Sequence, residues 1–596
     1  MEPQDDPVVT LEQESLDDTH HGLSRAQALN LYVSHAFSTW NARGYEFAAI
    51  LFTAGAYPDT LVAAALRLPP KQPASNAIYS LDLDLTGKSM IIIYVAMIFF
   101  SSSVGQWVQR SPDRLRTLLS TILCNRGSVI LGSFVWLFIL SQENSVANES
   151  PANEPLRYTV PQNDILKGVV FAVAIAFGIV ERLSASGNMI SMERDWIVTA
   201  AAPLGKPWYY APPSFLDDLT NLNAVMRRID LVCKLIAPIA ISIIISATGS
   251  VRVGVVYTAL TSLISIPIEL LSAKRVWNAC PVLQAPKLIA QPRHTQEQES
   301  TVSDHRLMGI ISSWQTRVRQ HFHGFETYFS TKVWVPSVAL ALLHFNMLTW
   351  RATFITYLIN LGYSLNVITL ARTIGSVFEI SSTVITPWGI AYLGKTRRRG
   401  TLDDLPDGSD IGLLQDEETH EDRINDAQTV IGLQRLGLWG MSSQVVNTVP
   451  VVFALWVISN QRSQETEDGI DNLVKGTKSL SVGWSVILFS FLAFSRLGVW
   501  IFDLTTQQLT QMLVPKTERS SFAGVETSIV NIFEVLGAAT AISFPHVSQY
   551  RWLALASLIS VVISWFMYSL WVRTQRGHLV HWEKIPRGLG EGARGT

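Results

Sequence analysis

Charge is what this sequence has least of. Only 16% of its 596 residues are Asp, Glu, Lys or Arg, where soluble chains carry about 25%, and this excludes a string of ordinary soluble domains. The net charge is −2, so no global basic field points to nucleic acid. Cysteine is scarce: Cys124, Cys233 and Cys280 are widely spaced with no C-x-x-C pair, which excludes a disulfide framework and a cysteine zinc site. The first 26 residues carry Asp5, Asp6, Glu12, Glu14, Asp17 and Asp18 but no basic start or apolar core, unlike a secretory signal. H-E-x-x-H and G-x-S-x-G patterns are missing as well, so neither enzyme chemistry nor a cofactor is expected.

What is present is apolar residue in long blocks, 48% of the chain, with a mean hydropathy of +0.24. About 18 to 20 such residues cross the ~30 Å hydrocarbon layer as a helix. The pattern predicts spans at 28–54, 90–108, 117–141, 166–192, 223–248, 252–273, 332–362, 366–393, 428–459, 479–512, 520–545 and 551–573. The expectation is an all-α polytopic membrane protein of twelve transmembrane helices in two six-helix halves. An acidic tail (1–27) precedes the first half (28–280), and a polar linker (281–331) separates it from the second (332–573, with a polar loop at 394–427). Residues 574–596 form a second tail. Two stretches fit poorly. Residues 67–89, with Lys71, Asp82 and Asp84, either precede a second span complete at 90–108 or interrupt one helix as a gene-model error. Residues 203–217, rich in proline, read as a harmless polar insertion.

Basic residues translocate poorly and so mark the cytosolic loops. Arg110, Arg114 and Arg116, Lys274 and Arg275, Lys395 with Arg397 to Arg399, Lys516 and Arg519, and Arg573 and Arg576 all fall on one side, which places both termini in the cytosol. Asn148-Glu149-Ser150 is a candidate glycosylation sequon on the outer side, although Pro151 follows it. Each half repeats a basic turn after its second span, Gly105 to Arg116 and Trp388 to Arg399. These turns resemble the loop signature of major-facilitator transporters, whose halves are repeats around a midplane site.

Ionisable residues inside a span are costly and mark functional positions. Both halves have them: His35, Arg43, Glu46, Glu181, Arg182, Arg227, Arg228 and Asp230 in the first, His344, Arg351, Arg372, Glu379, Arg435, Arg496, Asp503, Glu526 and Glu534 in the second. Arg496 and Asp503 lie two turns apart, so each is expected to bridge to another helix rather than to its neighbour. Glu193-Arg194-Asp195-Trp196 ends the fourth span near Arg227-Arg228 at the start of the fifth. Opposite charges there are material for an inner gate or for fixed helix packing.

Several blocks carry a family resemblance: Leu31 to Trp40, Glu193 to Val198, Asn221 to Asp230, Arg496 to Thr505 and Glu518 to Val525. Together and in this order they resemble the ferroportins, the iron exporters of solute carrier family 40. The resemblance implies a major-facilitator fold exporting divalent iron, and often cobalt or nickel, from the cytosol by alternating access. The departures are at the metal positions. The animal first-half aspartate and histidine correspond to Ala42 and Glu46, as in plant members, and a carboxylate discriminates less sharply for transition metals. The second-half cysteine and histidine correspond to Ala352 and Gly537, so peptide-hormone control through that cysteine is not expected. On this resemblance Glu46, assisted by Asn221 or Asn223, is the first-half candidate; the amides have helix capping as their alternative. Glu534 and His344 are the second-half candidates, His344 having packing as its alternative. His35 lies about three turns, ~16 Å, before Glu46 and is expected to gate or to couple protons. Arg194, Asp195, Arg228, Asp503 and Arg519, with Arg496, form the expected inner gate. The expected partners are a divalent metal ion and the lipid bilayer, with no nucleic acid, on a monomer in the plasma or vacuolar membrane. Transport of another small solute, or a receptor or scaffold on the same fold, are the competing expectations.

Overall fold

The computed structural model describes residues 25–56, 83–148, 162–201, 213–287, 324–350, 352–394, 420–467, 482–544 and 549–576. The tails, most of the linker and of the 394–427 loop, and residues 67–82 and 203–212 lie outside these.

Each expected span but 332–362 becomes one continuous helix, the fourth with a π turn within it. The first half holds α1 (Arg25–Ala56), α2 (Leu83–Arg110), α3 (Arg114–Asn148), α4, α5 (Pro213–Thr248) and α6 (Val251–Ala279). α4 runs Gln162–Met189, passes through a π turn at Ile190–Trp196 and ends as Ile197–Ala201. The second half holds the broken α7 (Trp334–Leu342 and Ala352–Asn360), α8 (Leu365–Gly394), α9 (His420–Glu467), α10 (Val482–Leu513), α11 (Arg519–Ser543) and α12 (Tyr550–Arg576). Residues 83–89 are the first turns of α2, whose apolar part Ile91–Arg110 suffices to cross a membrane. Asn148 of the sequon is the last residue of α3.

Ten of these helices are long and apolar enough to span a bilayer; α1 and α7 are the two others. α1 has the length but spends it on His35, Asn41, Arg43 and Glu46. α7 was expected to run unbroken over 332–362 and does not. It is a helix at Trp334–Leu342, a 3-10 turn at Leu343–Phe345 and a second helix at Ala352–Asn360. Open backbone at membrane depth must find partners within the protein. Met347 N–H donates to Ser557 Oγ (2.8 Å), the Tyr550 hydroxyl donates to Met347 O (2.8 Å), Leu348 N–H donates to Asn346 Oδ1 (2.8 Å), and Arg496 donates to Leu348 O.

The most extensive pairings between the halves are α2 with α11 and α5 with α8. The first is possible because Gly105 and Gly524 face each other: a Cβ on Gly105 would lie 2.6 Å from Ser520 O and 2.7 Å from Gly524 Cα. The apolar core divides unevenly along the bundle. At the end where α2 passes into α3, one cluster draws on both halves, with Leu31, Trp196 and Met226 beside Phe502, Phe522 and Tyr568. At the other end each half has its own: Ala48, Phe52, Trp136, Ile241 and Val255 in the first, Phe354, Tyr357, Leu455, Leu488 and Tyr550 in the second. The bundle is closed at one end and divided at the other.

Candidate functional site

The polar side chains follow the same division. The closed end is built around the π turn of α4. A π turn widens the helix by one residue and is frequent at functional sites, and here it carries Glu193, Arg194 and Asp195 in succession. They engage three different partners. Glu193 accepts from Gln507 Nε2 at 2.8 Å, and its carbonyl accepts from Gln511 Nε2 at 2.8 Å. Arg194 pairs with Glu526 of α11 at 2.7 Å and donates to Thr510. Asp195 stays within its half, held by Arg114 at 2.9 Å and by Lys287 at 2.7 Å.

Amides from α10 complete the layer. Asn223 and Gln511 exchange hydrogen bonds of 2.6 and 3.1 Å, and Gln508 donates to Thr220 at 2.5 Å. Arg227 pairs with Asp503 at 2.7 Å, Arg228 donates to Thr383 of α8 at 3.0 Å, and Gln109 of α2 links to Ser520 and Lys516. Among the described residues, the polar contacts between halves gather at this end or at the level just above it. Lys287 comes from just beyond α6; it is buried, and it also donates to Val108 O at 2.8 Å. That burial holds its ammonium below the usual lysine range, with Asp195 pulling the other way.

Above the closed layer, towards the divided end, the charges are looser. Arg43 grips Asp230 through Nε and Nη2 at 2.9 and 3.0 Å and reaches Glu46 at 3.3 Å. Arg182 of α4 reaches the same Glu46 oxygen at 3.5 Å. Lys234 of α5 pairs with Glu379 of α8 at 3.6 Å and lies 4.7 Å over the Trp500 ring. Behind this cluster Arg126 and Glu269 form a fully buried pair at 2.9 Å, and Arg126 also reaches Asn125 Oδ1 and the carbonyls of Phe37 and Ser38.

These placements rearrange the candidate residues read from the sequence. Arg194, Asp195, Arg228 and Asp503 lie in or next to the closed layer. Arg496 and Asp503 each bridge to another helix, Arg496 donating to Leu348 O at the break in α7 and Asp503 pairing with Arg227 of α5. Arg519 is buried and donates to Val514 O at 3.2 Å. Asn221 is exposed and Asn223 is locked to Gln511, so neither reaches Glu46; a helix rising 1.5 Å per residue carries Asn223 about 10 Å below Asp230, the level at which Arg43 meets α5. His35 is buried on the continuous α1, with Nε2 unpartnered. His344 turns Nδ1 to Leu340 O of its own turn at 3.3 Å, while Glu534 is buried on α11. Gly537 abuts the break in α7, where an added Cβ would meet Met347 Cε at 2.8 Å. Arg351 lies outside the described residues, among which no three His, Cys, Asp or Glu side chains gather as a metal cluster.

The sequence reading missed Lys234, Lys287, the pair Arg126–Glu269 and the amides. The run Thr505-Thr506-Gln507-Gln508-Leu509-Thr510-Gln511 was the available signal for the last, since so polar an end to a span needs partners inside the protein.

The family model described as Ferroportin1 (FPN1) matches residues 77–397 and 425–561 of this chain. Solute carrier family 40 member 1 of Arabidopsis thaliana is 24% identical over 588 residues, covering 95% of this chain and 91% of that protein. Ferroportin of Homo sapiens is 21% identical over 579 residues, covering 92% and 91%. The crystal structure of a bacterial homologue of the iron transporter ferroportin, in an outward-facing state with soaked iron, superposes with a TM-score of 0.60 at 15% identity, covering 92% of this chain and 99% of that one.

Proposed function

The chain belongs to the ferroportin family, a multi-pass membrane transporter and not an enzyme, and on that premise we propose that it exports divalent iron from the cytosol by alternating access. The observation that carries the proposal is the division of the core: one apolar cluster shared by both halves at the closed end, two separate clusters at the other. A molecule sealed at one end and split at the other is one of the two states that a rocking transporter needs. The closed end also has the basic loops, which makes it the cytosolic face by the distribution of arginine and lysine and gives this structure an outward-open state. Both termini are then cytosolic.

In this scheme Glu46 meets the cargo from the first half and Glu534, with His344, from the second. Arg194–Glu526, Arg227–Asp503 and the Gln507, Gln508 and Gln511 amides part when the cytosolic end opens. His35, buried beside Arg227 and Asp230, is the proposed gating and proton-coupling residue of the layer. Cobalt and nickel are further cargoes. The plasma or vacuolar membrane is the proposed location, and the working unit is a monomer without peptide-hormone control.

The test is uptake of radioactive iron(II) and cobalt(II) into proteoliposomes holding the purified full chain, with Arg194→Ala and Glu46→Ala beside the unaltered protein. Metal uptake that both substitutions reduce at least tenfold supports the scheme. A folded protein that moves neither ion refutes it.

A further inference from the structure

Resting on that reading, we propose that Lys234 is a tethered counter-cation of the transport cycle: its ammonium holds Glu379 of the opposite half while the cleft is empty, yields that carboxylate to the incoming dication, and takes it back for the return of the unloaded protein. The argument starts from the cations around the cleft. Arg43 pairs with Asp230, Arg182 with Glu46, Arg227 with Asp503 and Lys234 with Glu379, so a dication that binds a carboxylate of any of these pairs takes it from a resident cation. The pairs differ in what they join. Arg43–Asp230 and Arg182–Glu46 lie within the first half and travel with it, whereas Arg227–Asp503 and Lys234–Glu379 connect α5 to the second half and are exposed to its rocking. Arg227 and Asp503 are close, at 2.7 Å, and covered. Lys234 stands 3.6 Å from Glu379, beyond a direct hydrogen bond, with 42% of its side chain accessible.

An ammonium so placed acts as a bound monovalent cation on a stem. It reaches a carboxylate of each half, Glu379 as its ion-pair partner and Glu46 through the electrostatic field. The flexible four-carbon stem lets it move, and the Trp500 ring of α10, 4.7 Å away, gives it a second resting place through a cation–π contact. Cargo that takes Glu379 therefore leaves Lys234 on Trp500. Cargo that departs leaves a carboxylate only 8% exposed, and such a group is costly to enclose without a counter-charge. Lys234 supplies that charge, so the unloaded cleft closes with its carboxylate paired. Glu379 thereby becomes a cargo contact from α8, in addition to Glu534 of α11, and the metal and the ammonium alternate on it.

The experiment uses the full chain in proteoliposomes and follows radioactive cobalt(II), an air-stable dication, in two modes. Net uptake into empty vesicles requires the protein to return unloaded; exchange into vesicles preloaded with unlabelled cobalt lets it return loaded. The proposal expects the ratio of net uptake to exchange to fall tenfold or more in Lys234→Gln, with exchange half-saturated at a lower cobalt concentration because a resident competitor is gone. Lys234→Met, which keeps most of the stem, should repeat the result, and Lys234→Arg should restore the ratio. Lys234→Gln combined with Glu379→Gln should restore it as well, at a higher half-saturating concentration, since the carboxylate that needs neutralising has gone together with the ligand. A ratio that stays the same in both Lys234→Gln and Lys234→Met, whether the two rates hold or fall together, overturns the proposal and leaves metal transport standing. No movement of cobalt by the unaltered protein in either mode overturns the transport reading, and this role with it.

Discussion

Arg194, in the π turn of α4, meets Glu526 on α11 at 2.7 Å, and the two side chains keep only 10% and 12% of their surface accessible. They come from opposite halves of the chain, and Ser337 of α7 donates to the second Glu526 oxygen at 2.8 Å. The pair thus ties three helices into the closed layer, and either partner left alone would be a buried charge.

Breaking a buried pair costs about 3–5 kcal/mol, and here the cost falls on the closed state, because parting the halves rehydrates both groups. Glu526→Gln should therefore shift the protein towards the state open at this end. Spin labels at the exposed Arg275 and Arg573, one in each half, should report a longer distance in this variant. The double variant Arg194→Glu, Glu526→Arg should restore part of the closed population. An unchanged distance distribution in Glu526→Gln would show that the amide layer alone holds the end closed.

The fold was legible because it rests on local quantities, the length of apolar runs and the placement of arginine and lysine. The partners within the site were not. Arg43 and Glu46 are three residues apart on one helix, so their contact could be read, but the claim of Arg182 on the same carboxylate depends on how α1 packs against α4. Asn223 shows the same limit: its position matched a ligand-bearing block of the family, yet its amide is spent on Gln511 across the halves. The break in α7 was hidden because its sequence has no proline or glycine. What sustains it are Ser557, Tyr550 and Arg496, more than a hundred residues away.

The α2–α11 crossing gives a second prediction. A side chain at Gly105 meets backbone on α11, which cannot rotate aside, so Gly105→Val should force the helices apart and reduce transport tenfold or more. Gly168 and Gly127, where an added Cβ meets nothing within 4 Å, supply the control: Gly168→Ala should leave both transport and melting temperature near those of the unaltered protein. Transport by Gly105→Val at the normal rate would mean that the halves do not approach this closely in the working cycle.

The pair Arg126–Glu269 predicts an asymmetry between single and double substitutions. Both side chains are essentially unexposed, at 1% and 0%. Glu269→Gln leaves a guanidinium buried without its counter-charge and should lower the melting temperature markedly, by the about 3–5 kcal/mol expected for such a group. Arg126→Leu combined with Glu269→Met removes both charges and should recover much of the loss, since apolar replacement of a buried pair is often neutral. Calorimetric or fluorescence melting of the three proteins measures this. Equal damage from the single and double variants would instead assign the pair's value to the hydrogen bonds that Arg126 makes with Asn125, Phe37 and Ser38.

Lys287 predicts a pH dependence whose sign follows from its burial. Docked against Asp195 and Val108 O, its ammonium titrates below the usual lysine range; undocked, it returns to the ordinary value of about 10.4. The undocked state therefore binds more protons between the two values, and docking strengthens as pH rises through that window. Hydrogen exchange over residues 281–287, corrected for the intrinsic rate at each pH, should become more protected on going from neutral to alkaline solution. Lys287→Met should abolish the dependence while keeping the segment apolar enough to pack. If protection falls with rising pH, the ion pair with Asp195 outweighs the cost of burying the ammonium, and the connection beyond α6 is held to the closed layer by charge. If it rises, the segment docks by packing, and Asp195 is held mainly by Arg114.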